Sequence, residues 1–199
     1  MTRLPLAILI SGRGSNMQAL IKACSDPAYP AYPAVIVSNR PDAAGLTYAA
    51  DRNIPTEIVD HRRFKGDREA FEQALHEKLS AHKVEMIALA GFMRILTPWF
   101  VRLWQNRLVN IHPSLLPKYR GLDTHARALA AGDIEAGCTV HWVSEGVDTG
   151  EIIAQARVPV QPEDTEASLA RRVLAAEHEL YPAALASAIE HYLGTSKTP

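Results

Sequence analysis

The chain has 199 residues, 47% of them apolar, with 21 basic against 22 acidic side chains and a formal net charge of −1. That supplies a core for one globular domain, and neither sign of charge runs in a long block. Composition therefore argues against nucleic-acid or membrane partners and for small molecules. Cys24 and Cys138 stand apart without metal-ligand spacing, and no apolar run approaches the ~18 residues of a membrane span. A cytoplasmic location without metal is expected.

The first apolar run has no signal-cleavage pattern and reads instead as a strand, Leu6 to Ser11. Further strands are predicted at Ala34 to Ser38, Thr56 to Val59, Val84 to Ala90 and Leu108 to Ile111, short and mostly continuous in apolar character as strands buried on both faces are. Helices are predicted between them at Asn16 to Ala23, Ala43 to Arg52, Arg68 to His82 and Pro98 to Gln105. After Pro117 come a helix, Thr124 to Ala131, and two strands, Thr139 to Val143 and Glu151 to Val160, joined by a Gly-containing loop like a β-hairpin. A last helix follows Asp164-Thr165 and runs to about Leu193, bent or interrupted at Pro182. The fold class is α/β: an open, mostly parallel Rossmann-like sheet flanked by helices, with a C-terminal antiparallel strand excursion and a long terminal helix. No repeat or linker marks a second domain, so residues 1–193 are expected to form one domain and 194–199 a flexible tail.

Two stretches carry chemistry. The first strand-to-helix turn, Ser11-Gly12-Arg13-Gly14-Ser15-Asn16, offers backbone amides and a helix N-terminus to an anion. Met17 stands where a dinucleotide fingerprint has its third glycine, so a single phosphate suits Gly14, Ser15 and Asn16 better than a pyrophosphate. The alternative is a tight turn serving only the backbone.

The second stretch is Leu108-Val109-Asn110-Ile111-His112-Pro113 with Asp148 downstream. Alternation puts Asn110 and His112 on one face, and Pro113 ends the strand at the sheet's carboxyl edge, where open α/β sheets bind ligands. Asn110 as amide donor to an oxyanion, His112 as general acid and Asp148 as the carboxylate favouring its imidazolium suit acyl-type transfer. Structural readings stand beside these: a backbone-bonding Asn110, a satisfied buried His112, an Asp148 that only forms the turn before Thr149-Gly150. Arg68 heads a helix and suits a ligand carboxylate, although an exposed helical arginine is the commoner outcome. The backbone of Met93, Arg94, Ile95 and Leu96 suits a flat ring, or plugs the core. Glu177 reads as a solvated surface residue and His141, beside Trp142, as structural.

Ile10-Ser11-Gly12-x-Gly14-Ser15-Asn16, Leu89-Ala90-Gly91-Phe92-Met93-Arg94-Ile95-Leu96, Asn110-Ile111-His112-Pro113-Ser114-Leu115-Leu116-Pro117 and Glu177-His178-x-Leu180-Tyr181-Pro182 together resemble the phosphoribosylglycinamide formyltransferases, a branch of the folate-dependent formyltransferase family. The resemblance covers nearly the whole chain. It implies transfer of a formyl group from 10-formyltetrahydrofolate, as co-substrate, to the amine of glycinamide ribonucleotide in purine synthesis, through a tetrahedral intermediate formed by direct amine attack. By that likeness Asn110, His112 and Asp148 are catalytic, and Gly14, Ser15, Asn16 and Glu177 hold the ribonucleotide. Arg68, Met93, Arg94, Ile95, Leu96, Asn110 and the loop Ser144, Glu145, Gly146, Val147, Asp148 bind the folate. A monomer or homodimer acting on small molecules is implied. Arg13, Asp123 and Glu151 depart from the pattern, where a small or polar residue, His and Pro are usual.

Three rivals differ in what they require. The tRNA-directed and hydrolytic formyl-folate enzymes would carry an added domain for which 199 residues leave no room. An NADP-dependent oxidoreductase would set Arg40 toward the 2′-phosphate, but Met17 opposes its pyrophosphate site. A non-catalytic nucleotide-binding module would keep phosphate binding without formyl transfer.

Overall fold

Side-chain parity along β1 (Leu4–Ile10) divides the interior: Leu4, Leu6, Ile8 and Ile10 enter one apolar layer, Ala7 and Leu9 the other. The computed structural model describes residues 3–195. Beside β1 lie β2 (Ala31–Ser38), β3 (Thr56–Ile58), β4 (Met86–Leu89) and β5 (Leu108–His112), all parallel. Then β6 (Glu135–Trp142) and β7 (Ile152–Pro159) extend the sheet antiparallel, giving the order β3-β2-β1-β4-β5-β6-β7. Helices α1 (Ser15–Cys24), α2 (Ala44–Ala50) and α6 (Glu166–Thr195) cover one face, and α3 (Arg68–Ala81) and α4 (Pro98–Leu103) cover the other. A short α5 (Thr124–Ala130) lies between β5 and β6. The predicted fold class is the one observed.

The strand order reverses direction between β1 and β4, and a crevice opens beyond their carboxyl ends, as at the switch points of other open α/β sheets. A cleft of about 440 Å³ lies there, lined by the Ser11–Asn16 turn, Asn39, Arg40, His61, Ala90, Gly91, Met93 and Arg94.

Several boundaries depart from expectation for physical reasons. β2 starts at Ala31 and takes in Pro33, which the ladder accommodates beside a register shift at Leu6/Ala7. β6 starts at Glu135, not Thr139, because Gly137 admits the Ala156 carbonyl; an added Cβ would stand 2.0 Å from that oxygen. A 3-10 turn at His61–Phe64, capped by Asp60, has no counterpart in the sequence reading. The last helix is not interrupted at Pro182: it continues to Thr195, since Tyr181, Ala184 and Leu185 are buried around the missing N–H. Gly194 and Thr195 therefore close α6 instead of starting a tail, and residues 196–199 of that expected tail lie outside the described residues.

Candidate active site

At the end of β5, Val109 and Ile111 enter the layer under α6, so Asn110 and His112 face the other way. The antiparallel neighbour β6 sets His141 opposite Asn110 and Thr139 opposite His112. The loop between β6 and β7 then returns Asp148 to His112, with Nδ1 to Oδ2 at 3.2 Å. The Gly121 N–H donates to the same carboxylate oxygen at 2.9 Å. His141 joins the three predicted residues: its Nε2 is 3.1 Å from Asn110 Nδ2 and 3.6 Å from Asp148 Oδ1. Its Nδ1 lies 2.8 Å from the Trp142 carbonyl, so the neutral ring donates there and accepts from Asn110, orienting the amide and leaving its second hydrogen unengaged by His141. The sequence reading treated His141 as structural; its alternation with Thr139 on β6 was the available signal.

Burial pushes His112 below the ordinary histidine value, against the Tyr119 carbonyl and the Asp148 carboxylate, which both raise it. Asp148 thus acts in the expected direction but is outweighed by desolvation. Burial also raises Asp148, yet the neighbouring His141 ring, the Gly121 N–H and the His112 ring together bring it below the usual carboxylate range. An ionised carboxylate beside a reluctant imidazole gives a ring that takes full charge once further negative charge develops next to it. His112 Nε2 is engaged by the Tyr119 carbonyl at 2.9 Å, a contact that must be exchanged before this nitrogen meets a substrate. Tyr119, Asp123 and Asp148 all have left-handed backbones, with φ of 54°, 56° and 51°. Such conformations cost about 1–3 kcal/mol each and gather where a loop is held for function.

At the cleft, Gly14 takes φ 72° as the residue before α1, placing Ser15 and Asn16 in its first turn. Asn16 Nδ2 donates to Glu177 Oε2 at 2.6 Å, while Asn16 Oδ1 is buried without a partner. Glu177 is not a surface residue: it is 6% exposed, and burial raises its pKa, with the Asn16 amide lowering it in part. A buried carboxyl and an unpaired buried amide oxygen in one place form a polar pocket seeking hydroxyl or N–H partners.

The remaining predicted residues are more open. Arg68 begins α3, exposed and without an ion pair among the described residues. Met93 and Ile95 are 64% and 58% exposed, Leu96 packs against the core, and Arg94 sits over the Phe71 ring at 5.8 Å with its Nε buried and unpaired. In the β6–β7 loop Ser144 Oγ meets Thr149 Oγ1 at 2.9 Å, Glu145 pairs with Arg102 at 2.7 Å, Gly146 has φ 104°, and Val147 is exposed. Large apolar side chains left exposed on the loops after β4 and β6, beside unpaired polar groups, fit a flat heteroaromatic ring. Arg13 is exposed at the cleft, Asp123 precedes α5 without a side-chain cap, and Glu151 uses its carbonyl to accept from Trp142 N–H at 2.9 Å. Arg40 is paired with Asp42 at 2.6 Å. Among the described residues no group of three or more His, Cys, Asp or Glu could hold a metal ion, and no helix is long and apolar enough to cross a membrane.

Residues 4–185 match the model of the family described as formyl transferase. The chain is 52% identical over 183 residues to the trifunctional purine biosynthetic protein adenosine-3 of Drosophila melanogaster, covering 91% of this chain and 14% of that protein. It thus spans a small part of such multifunctional relatives. With the phosphoribosylglycinamide formyltransferase of Escherichia coli it shares 44% identity over 177 residues, 89% of this chain and 83% of that one. The crystal structure of phosphoribosylglycinamide formyltransferase from Brucella melitensis superimposes with a TM-score of 0.90 at 47% identity, covering 94% of this chain and 96% of that one.

Proposed function

Because the chain belongs to the formyl transferase family, we propose that it transfers the formyl group of 10-formyltetrahydrofolate to the amine of N1-(5-phosphoribosyl)glycinamide. The products are formylglycinamide ribonucleotide and tetrahydrofolate, in de novo purine biosynthesis. The observation that carries this reading is the His112–Asp148 pair at 3.2 Å on the carboxyl edge of β5, with Asn110 on the same face.

The roles are those the family resemblance implies, and the geometry supports them. The ribonucleotide phosphate lies on Gly14, Ser15 and Asn16, and Glu177 meets the same substrate from α6. The folate lies along Met93, Arg94, Ile95 and Leu96 and against Ser144, Glu145, Gly146 and Val147, with Arg68 toward its carboxylates. The free amine attacks the formyl carbon, and Asn110 and His112 answer the charge developing on its oxygen. The tetrahedral intermediate collapses by breaking the bond between the formyl carbon and N10; His112 takes the proton that the attacking nitrogen sheds and delivers it to N10, and Asp148 compensates the ring while it is charged. The same reading makes the protein a cytoplasmic monomer or homodimer acting on small molecules, with no nucleic-acid or membrane partner and one catalytic domain that runs through the end of α6.

The test is product absorbance from 10-formyltetrahydrofolate with and without the ribonucleotide. Ribonucleotide-dependent turnover is expected, with His112→Ala and Asp148→Asn lowering kcat/KM by about 100-fold or more while circular dichroism stays unchanged. Unchanged rates in both variants would remove the mechanism. Turnover without the ribonucleotide would assign a hydrolase instead.

A further inference from the structure

Ser11, the residue after β1, holds the loop after β4 at two points. Its N–H donates to the Gly91 carbonyl at 3.1 Å, and its Oγ accepts from the Met93 N–H at 2.8 Å. Between those points Gly91 has φ 74°, a turn the two bonds fix from one side. The hydroxyl proton is directed at Asn39 Oδ1, 2.6 Å away at the end of β2, which leaves an Oγ lone pair to face Met93. Both polar side chains are buried, Ser11 at 8% and Asn39 at 2% exposure. His61 Nδ1 closes the outer end, 2.9 Å from the Asn39 carbonyl.

The chain continues from Ser11 directly into the Gly12–Asn16 turn, and Ser11, Asn39, Gly91 and Met93 line one cleft. One residue therefore has its backbone leading into the phosphate loop and its side chain on the loop assigned to the folate. We propose that Ser11, oriented by Asn39, is a positioning residue that ties the two substrate half-sites together and sets the Met93 backbone for the formyl donor. The inference rests on the two-substrate reading above, which assigns those loops to the ribonucleotide and the folate. A mere packing role would lower stability without selecting one substrate's KM.

Steady-state kinetics of the full chain test it, with Ser11→Ala, Ser11→Thr, Asn39→Ala and the Ser11→Ala/Asn39→Ala pair. Removing the acceptor leaves the Met93 N–H unsatisfied, so Ser11→Ala is expected to raise KM for 10-formyltetrahydrofolate about tenfold, with kcat falling less than about threefold. Ser11→Thr, which keeps the hydroxyl, restores the wild-type KM. Asn39→Ala raises the same KM in the parent, but adds nothing in the Ser11→Ala background, because it acts through Ser11. If Ser11→Ala does not fold, Ser11→Cys keeps the size, weakens the acceptor and carries the same expectation. A folded variant with unchanged folate KM, or full additivity of the two substitutions, overturns the tie while wild-type turnover stands. A wild-type chain without ribonucleotide-dependent turnover overturns the two-substrate reading and the tie with it.

Discussion

Glu177, assigned to the ribonucleotide in the proposed function, sits where it is at the expense of the fold. Its carboxyl is buried on α6 and accepts one hydrogen bond, from the Asn16 amide. Burial raises its pKa above the ordinary glutamate value, partly offset by that amide. An acid whose folded pKa exceeds its unfolded pKa favours the fold fully below the unfolded value, and that contribution disappears as pH rises through the folded value. Ionised Glu177 therefore disfavours the fold at neutral pH. Glu177→Gln keeps an oxygen for Asn16 and removes the charge, so its melting temperature is expected to exceed that of the parent at pH 8 and to converge with it near pH 4. In the proposed site the same change takes a carboxylate from the ribonucleotide, and its KM is expected to rise about tenfold or more. A variant that melts below the parent at pH 8, or binds the ribonucleotide as well, contradicts the assignment. His112 has the opposite sign as a base. Its depressed pKa gives stability above the unfolded value that is lost as pH falls through the folded one.

Among the elements, α6 does most to fix the site, because it brings Glu177 to the α1 turn and Tyr181 to the sheet. Tyr181 is fully buried, and its hydroxyl lies 3.0 Å from the Leu89 carbonyl at the end of β4 and 3.1 Å from the Val109 carbonyl in β5. Val109 immediately precedes Asn110, so the helix is fastened at the base of the reactive strand end. Tyr181→Phe keeps the ring and strands these oxygens against it, at a cost of about 1–3 kcal/mol. For a chain of this size that corresponds to a melting temperature lower by about 2–4 °C per kcal/mol, read by calorimetry. A variant melting with the parent shows that the hydroxyl does not hold the strands. β1, β2, β4 and β5 were legible in the sequence because burial on both faces leaves continuous apolar runs; β3, an edge strand with Thr56 and Ile58 exposed, has no such run. The Asn110–His112 alternation was legible because it is local to one strand. The first half of β6 was not, since Glu135-Ala136-Gly137 carries no strand preference and is imposed by pairing with β7. The part His141 plays and the burial of Glu177, which only the family resemblance placed in the site, escaped for a related reason: antiparallel register 31 residues away and the packing of α6 on α1 set their surroundings, and neither is a local property.

At the scale of the whole molecule, one sheet serves two layers, and this decides how it comes apart. Leu6, Ile8 and Ile10 of β1 lie under α1 and α6 while Ala7 and Leu9 lie under α3 and α4, so neither helix layer can leave without wetting the strand that the other packs on. The tryptophans report the layers separately. Trp104 is buried and Trp99 packs beside it in the α3–α4 layer, whereas Trp142 packs in the α6 layer near His191. A variant retaining only Trp104 and another retaining only Trp142 are therefore expected each to show fluorescence and far-ultraviolet circular dichroism midpoints that coincide within that variant, as a single cooperative transition requires. Comparing two signals within one variant removes the stability cost of the substitutions themselves. Separate midpoints in either variant would mean that one layer opens first. The Gly12–Asn16 turn on the α1 side would then be able to loosen while the loop after β4 stays folded, and the hydrogen bonds of Ser11 would be too weak to hold the two halves as one unit.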